Sequence, residues 1–128
     1  MELIRAAEYG HTECLKRLLD AGADVNDRDV VDNSTALMKA TWRGRTECLK
    51  MLIDAGADVN ASDKWGRTAL MVVARYGYTE CLKMLLDAGA DVNAKDEDDS
   101  TALMKAARYD NIECLQVLID AMKRDKKR

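Results

Sequence analysis

The 128-residue sequence contains 48% hydrophobic and 34% charged residues, and 20 Lys and Arg against 23 Asp and Glu give a formal net charge of −3. This length fits one domain with a hydrophobic core, and the hydrophobic share excludes a disordered chain. The near-neutral charge argues against general affinity for nucleic acid. The longest apolar run, the six residues 69–74, is too short to span a membrane, and the sequence opens without the pattern of a secretory signal.

A repeat runs through the whole sequence. The string Glu-Cys-Leu recurs in steps of 34, 33 and 33 residues, beginning at Glu13, Glu47, Glu80 and Glu113. Self-similarity at a fixed period of this length is typical of stacked repeat proteins. The extra residue of the first step falls between Asp29 and Thr35, which predicts a loop there, since an insertion in a helix would rotate its apolar face. We therefore predict one domain of four units: 1–34, 35–67, 68–100 and 101–128.

Each unit is predicted to contain two helices, joined by a short turn and followed by a long loop. The first helix is predicted to begin after an N-cap Thr, which is Thr35, Thr68 or Thr101. It is predicted to end near a Gly, which is Gly10, Gly44 or Gly77, and Asp110 replaces this Gly in the last unit. The second helix is predicted to have as its N-cap Thr12, Thr46 or Thr79. Its apolar residues recur at i, i+1, i+4 and i+5 from each Cys, so stacked units would bury them in one continuous core.

The four cysteines are predicted to be small buried apolar residues rather than disulfide partners or metal ligands. Each occupies the same position of a second helix, so neighbouring cysteines would lie about 8–10 Å apart. A disulfide requires Cα atoms about 4.4–6.8 Å apart, and zinc requires ligands that converge on one point. Reduced cysteines favour a reducing compartment, the cytoplasm or the nucleus.

No catalytic, metal or cofactor site is predicted. The sequence has one His, His11, and its glycines are single residues rather than a phosphate-binding loop. The acidic run 96–99 lacks the alternating ligands of a calcium loop, so we interpret it as a solvated loop tip. We interpret the basic residues from Lys123 onwards as a solubilising C-terminus, although a nuclear address or a phosphate-binding arm has the same composition.

The motifs resemble the ankyrin repeat family over essentially the whole chain. The family pattern D-x-x-G-x-T-P-L-H-x-A-A-x-x-G-H is matched at Asp63, Gly66, Thr68, Leu70 and Ala74, and the later G-A-D-V-N string is matched at residues 89–93. Two departures recur, Ala in place of Pro and Met in place of His. The resemblance implies an all-α solenoid of stacked helix-turn-helix pairs with short β-hairpin-like loops, here called fingers 1, 2 and 3, which lead to Thr35, Thr68 and Thr101. Units 1–34 and 101–128 would act as the capping repeats.

The resemblance also implies a partner-binding surface. Partners of the family contact the finger tips and the exposed face of the first helices, which line a concave groove. Carried over by position, the finger residues are Arg28, Val30, Val31, Ser34, Lys64, Trp65, Arg67, Lys95, Glu97, Asp98 and Ser100. The helix residues are the pairs Glu8/Tyr9, Trp42/Arg43, Arg75/Tyr76 and Arg108/Tyr109. Trp, Tyr and Arg dominate interface energetics, although aromatic residues here could instead pack against their own fingers, Trp65 above all.

We therefore predict a non-catalytic module that binds a partner protein or peptide, with no nucleic acid, membrane or cofactor. A monomer is expected, although exposed Trp42 and Trp65 could also mediate a homodimer. One alternative is a designed or consensus-like scaffold with no natural partner, which the near-identical units favour. The seven Met, the four Cys and the uneven finger 1 argue against it. Another is a regulator that inhibits an enzyme through the same groove, which sequence alone does not separate from a passive adaptor.

Overall fold

A computed structural model describes the backbone of residues 2–126 and the side chains up to Arg124. Within this part of the chain there are eight helices: α1 (Glu2–Tyr9), α2 (Thr12–Asp20), α3 (Ala36–Trp42), α4 (Thr46–Asp54), α5 (Ala69–Tyr76), α6 (Thr79–Asp87), α7 (Ala102–Arg108) and α8 (Ile112–Lys126). None of these helices is long and apolar enough to cross a membrane.

The helices form a stack of antiparallel pairs. The first helices α1, α3, α5 and α7 pack side by side in chain order, the second helices α2, α4, α6 and α8 do the same, and each first helix contacts the second helix that follows it. Leu15, Leu49 and Leu82 are fully buried between the two layers. The predicted all-α helical stack is therefore confirmed.

The predicted caps of the first helices are confirmed, and those of the second helices are wrong. The hydroxyls of Thr35, Thr68 and Thr101 each accept a hydrogen bond from the backbone N–H three residues later, at 3.3–3.4 Å. In contrast, α2, α4 and α6 begin at Thr itself, after an N-cap residue that contributes no side-chain bond. The reason is that the first helical hydrogen bond of α2, from Leu15 N–H to His11 C=O, starts one residue earlier.

The turn between the two helices of a pair requires a left-handed residue. Gly44 has a φ of 64° and Gly77 a φ of 74°, and Asp110 adopts 58° at the matching place in the last pair. Glycine enters this region at no steric cost, whereas Asp enters it with some strain. The Gly-to-Asp change thus preserves the turn and adds a side chain to it.

Neighbouring loops are linked by hydrogen bonds on both edges of the stack. Isolated antiparallel bridges from Arg28 to Thr35 and from Ser62 to Thr68 close fingers 1 and 2 as short hairpin-like loops. The backbone N–H of Lys64 in finger 2 donates to Asp32 C=O in finger 1 at 3.0 Å. At the other edge, the Asn60 side-chain oxygen accepts from Asp91 N–H at 2.7 Å. The fingers are thereby held side by side.

Candidate functional site

Arginine and aromatic side chains alternate where the first helices end. The Arg43 guanidinium lies 5.7 Å from the centroid of the Tyr9 ring. Arg75 lies 5.3 Å from the Tyr76 ring and 5.1 Å from the Tyr109 ring, and so bridges α5 and α7. We call this set the arginine–aromatic row; its members are Tyr9, Trp42, Arg43, Trp65, Arg67, Arg75, Tyr76, Arg108 and Tyr109.

The centre of the row joins finger 2 to α3 and α5. The Arg67 guanidinium lies 4.9 Å from the Trp42 ring and 4.7 Å from the Trp65 ring. Trp42 also meets Tyr76 edge-on, with centroids 5.5 Å apart. These neighbours leave Trp42 half-buried, so the prediction that it is exposed was wrong. Trp65 remains 39% exposed beneath Arg67 and Lys64, so it packs against its own finger and still presents a surface.

Asp63 fixes the direction of Arg67. Its buried carboxylate accepts a hydrogen bond from Arg67 Nε at 2.8 Å and also accepts from the backbone N–H groups of Trp65 and Arg67. The guanidinium is thereby held over the two indole rings. Sequence reasoning treated Asp63 only as part of the repeat motif, although the Arg four residues later in the same finger was a signal for this pair.

A half-buried carboxylate, that of Asp32, braces finger 1. Asp32 Oδ2 lies 2.9 Å from Lys39 Nζ on α3, and its other oxygen accepts from the Ser34 N–H and hydroxyl. Burial alone would raise the pKa of Asp32, but the hydrogen bonds from Ser34 and Lys39 outweigh burial and lower the pKa to about 2. Because Ser34 is buried in this arrangement, the prediction that it contacts a partner was wrong.

Of the other predicted contact residues in finger 1, Val30 and Val31 are exposed to solvent, whereas Arg28 is held by hydrogen bonds. Val30 and Val31 at the tip are 85% and 74% exposed. The Arg28 guanidinium instead donates to Asn33 C=O in its own finger at 2.9 Å and to Ser62 C=O at the base of finger 2 at 2.7 Å. Arg28 is therefore engaged in linking two fingers, while the two valines are available to solvent.

An open cleft of about 360 Å³ separates finger 3 from the ends of α5 and α7. Its lining includes Arg75 and Arg108 from the row and Glu97 and Asp98 from finger 3. No described carboxylate lies within salt-bridge distance of Arg75 or Arg108. Lys105 and Asp96, also in the lining, pair with each other at 2.9 Å, and this pair lowers the pKa of Asp96 although burial opposes it. The cleft thus presents both signs of charge.

The cysteines differ from the prediction at one position. Cys48, Cys81 and Cys114 are buried and unpaired, whereas Cys14, on the second helix of the first pair, is exposed. Burial raises the pKa of the Cys48 and Cys81 thiols and so disfavours the reactive thiolate. Across the described residues, no group of three or more His, Cys, Asp or Glu side chains could hold a metal ion.

Comparison with protein-family models gives one family, described as ankyrin repeats (3 copies), which matches residues 3–63 and 56–128. The chain belongs to the ankyrin repeat family. Ankyrin repeats are generally protein–protein interaction modules, and the family is typically non-catalytic. A search of the curated proteins finds no match.

Proposed function

We propose that this ankyrin domain binds a partner protein or peptide along the arginine–aromatic row, with the tips of the fingers contributing to the contact. The observation that carries the proposal is the continuity of the row. Cation–π contacts form three groups: Arg43 with Tyr9, Arg67 with Trp42 and Trp65, and Arg75 and Arg108 with Tyr76 and Tyr109. The edge-on contact between Trp42 and Tyr76 joins the second group to the third, and the first group adjoins the second because Arg43 follows Trp42 in the chain. The row is therefore a single surface rather than four separate patches.

The row has the physical properties of a preorganised binding surface. Tyr9, Trp65, Tyr76 and Tyr109 are each 39–46% exposed, although stacking holds them in place. Ordering a side chain on binding costs about 0.5–1.5 kcal/mol, and side chains that already stack on one another avoid much of that cost. Trp, Tyr and Arg are also the residues most often found to dominate binding energy.

The charges of the cleft beside finger 3 favour a partner segment that carries both signs of charge. Arg75 and Arg108 offer guanidinium groups to carboxylates, and Glu97 and Asp98 offer carboxylates to Lys or Arg. Opposite charges placed across an interface steer the encounter and fix the register of the partner. The exposed Val30 and Val31 would provide an apolar contact at the tip of finger 1. We further propose that the protein acts as a monomer in a reducing compartment, in keeping with its three buried unpaired thiols.

The test compares a double variant in the row with a double variant outside it. Light scattering first establishes whether the protein is a 14.3 kDa monomer, and binders are then selected from a displayed peptide library. We expect Trp65→Ala combined with Tyr76→Ala to weaken binding of the selected peptides by about 2 kcal/mol or more, roughly 30-fold. Lys50→Ala combined with Lys83→Ala, on the exposed surfaces of α4 and α6, should leave affinity unchanged.

Two results would contradict the proposal. Equal affinity of the wild type and the row variant would place the binding surface elsewhere. A dimer that dissociates in a Trp42 or Trp65 variant would mean that a second copy occupies the row. Circular dichroism of each variant establishes that a loss of binding does not reflect a loss of the fold.

A further inference from the structure

Two arginines of the arginine–aromatic row lack the carboxylate partner that its other two arginines have. Arg43 and Arg67 each pair with a carboxylate, at 3.3 Å and 2.8 Å. In contrast, Arg75 on α5 and Arg108 on α7 contact aromatic rings, and no described residue accepts a hydrogen bond from either guanidinium group. Each guanidinium group has five N–H donors, so the donors of both arginines are available to a ligand.

The ring of Tyr109 brings these two cations together. Arg75 lies 5.1 Å and Arg108 lies 5.9 Å from the centroid of this ring, and Arg75 also lies 5.3 Å from the Tyr76 ring. Two like charges held against one ring repel each other, and an anion that both attract offsets this repulsion. Guanidinium groups bind carboxylates through two parallel hydrogen bonds. The arrangement is therefore suited to a carboxylate.

The finger 3 side of the same cleft carries the opposite charge. Glu97 and Asp98 line it, and neither carboxylate pairs with a cation among the described residues. The buried Asp96 carboxylate accepts hydrogen bonds from the Asp98 and Ser100 N–H groups at 2.9 Å and 3.0 Å. The Glu97 N–H donates to Trp65 C=O in finger 2 at 3.1 Å. These bonds fix the backbone of finger 3, so its two exposed acidic residues stay beside the cleft.

The charges and the size of the cleft distinguish between ligands. A phosphate group would bring a charge of about −1.5 to −2 close to Glu97 and Asp98, which would repel it. A carboxylate brings a single negative charge, and a cation next to it would pair with these acidic residues. The cleft has a volume of about 360 Å³, whereas a helix with its side chains is about 10–12 Å across. An extended segment with adjacent acidic and basic groups therefore fits best.

We propose that Arg75 and Arg108 form a carboxylate-binding site for an extended partner segment, in which a Lys or Arg next to the carboxylate pairs with Glu97 and Asp98. The inference rests on the proposed function and names the group that the partner places in the cleft. The carboxylate belongs to an Asp or Glu side chain or to the C-terminus of the partner, since both sources offer the same group. Such a pair of charges separates a partner of this cleft from a peptide that contacts aromatic side chains alone.

The test titrates small probes into the nitrogen-15-labelled protein and follows the arginine Nε–Hε signals by NMR at about pH 6, where carboxylates are ionised. The first probe is the dipeptide Glu-Lys with both ends capped, and Gln-Lys capped in the same way is its neutral counterpart. Lysine that is acetylated at its α-amino group and keeps its free carboxylate represents the C-terminal source. We expect at least one carboxylate probe to shift the Arg75 and Arg108 signals saturably and to bind about fivefold or more tightly than Gln-Lys. The tighter of the two carboxylate probes identifies the source.

Two double variants localise this binding. Arg75→Gln combined with Arg108→Gln removes both guanidinium groups and should abolish the preference for the carboxylate probes over Gln-Lys. The matched control, Arg5→Gln combined with Arg17→Gln, removes the same charge from exposed arginines of α1 and α2 and should retain that preference. Circular dichroism establishes that both variants keep the fold. A capped phosphoserine-lysine probe should bind the wild type more weakly than capped Glu-Lys, because the acidic residues of finger 3 repel its second charge.

The proposal is overturned if neither carboxylate probe binds more tightly than Gln-Lys, or if both double variants lose the preference equally. Tighter binding of the phosphoserine probe than of capped Glu-Lys would also overturn it. These failures differ from a failure of the proposed function, because selected peptides can depend on Trp65 and Tyr76 whether or not they carry a carboxylate. Conversely, the small probes report on Arg75 and Arg108 even if the variant of Trp65 and Tyr76 leaves peptide affinity unchanged.

Discussion

The carboxylate of Asp32 provides a quantitative test of how finger 1 is held. Its hydrogen bonds to Ser34 and Lys39 lower its pKa from 3.8 to about 2, against the opposing effect of burial. Each pKa unit corresponds to about 1.4 kcal/mol, so the shift corresponds to about 2 kcal/mol. Because the side chain is 24% exposed, solvent screening reduces this value. We expect Asp32→Asn to lower the free energy of unfolding at pH 7 by about 1–2 kcal/mol.

The stability lost in Asp32→Asn should depend on pH, and the sign of the pKa shift determines how. A carboxyl group whose pKa is lower in the folded state stabilises the fold above its unfolded pKa, and this stability is lost as the pH falls through the folded pKa. Urea unfolding of the wild type and the variant should therefore differ by the full amount at pH 7 and by roughly half of it at pH 3. Asp54→Asn, at an exposed residue of α4, is the control and should show little difference. If Asp32→Asn lowers the free energy of unfolding equally at pH 7 and pH 3, the ionised carboxylate of Asp32 does not stabilise the fold as argued.

Urea unfolding at pH 7 also tests three further expectations. Thr68→Ala removes a helix cap and should lower the free energy of unfolding by about 1 kcal/mol. Thr79→Ala should cost less, because Thr79 is the first residue of α6 and its hydroxyl does not cap that helix. Leu49→Ala empties a fully buried site and should cost about 2–5 kcal/mol. Gly44→Ala should cost more than Gly56→Ala, because a Cβ at Gly44 would meet the Tyr78 ring at 3.0 Å while none lies within 4 Å at Gly56. These expectations would be contradicted if Thr68→Ala and Thr79→Ala cost the same, or if Gly44→Ala and Gly56→Ala cost the same. A loss below about 1 kcal/mol for Leu49→Ala would contradict the burial of Leu49.

The sequence was sufficient to predict the helical stack because the fold repeats its local signals. The spacing of Cys, Leu and Gly recurs in register, so each apolar face was visible several times. The caps at Thr35 and Thr68 followed from Thr before a helix-forming string. The same residue type at Thr46 and Thr79 did not act as a cap, because the helix begins one residue earlier there, and composition alone does not reveal that difference.

The contacts between neighbouring units could not be predicted from the sequence. Cys14 and Cys48 have the same local sequence, and only their positions in the stack make one exposed and the other buried. Arg28 was chosen as a partner contact by position, whereas its guanidinium links two fingers. The composition of the row was predicted, but its cation–π geometry depends on the distance between neighbouring units, which the repeat period does not specify.

Intrinsic tryptophan fluorescence tests the central proposal most directly, since both tryptophans of the chain, Trp42 and Trp65, belong to the arginine–aromatic row. A peptide selected for binding is titrated into the protein while calorimetry measures its affinity independently. The proposal predicts a saturable change in emission whose midpoint agrees with the calorimetric Kd. Binding detected by calorimetry with unchanged tryptophan emission would contradict it.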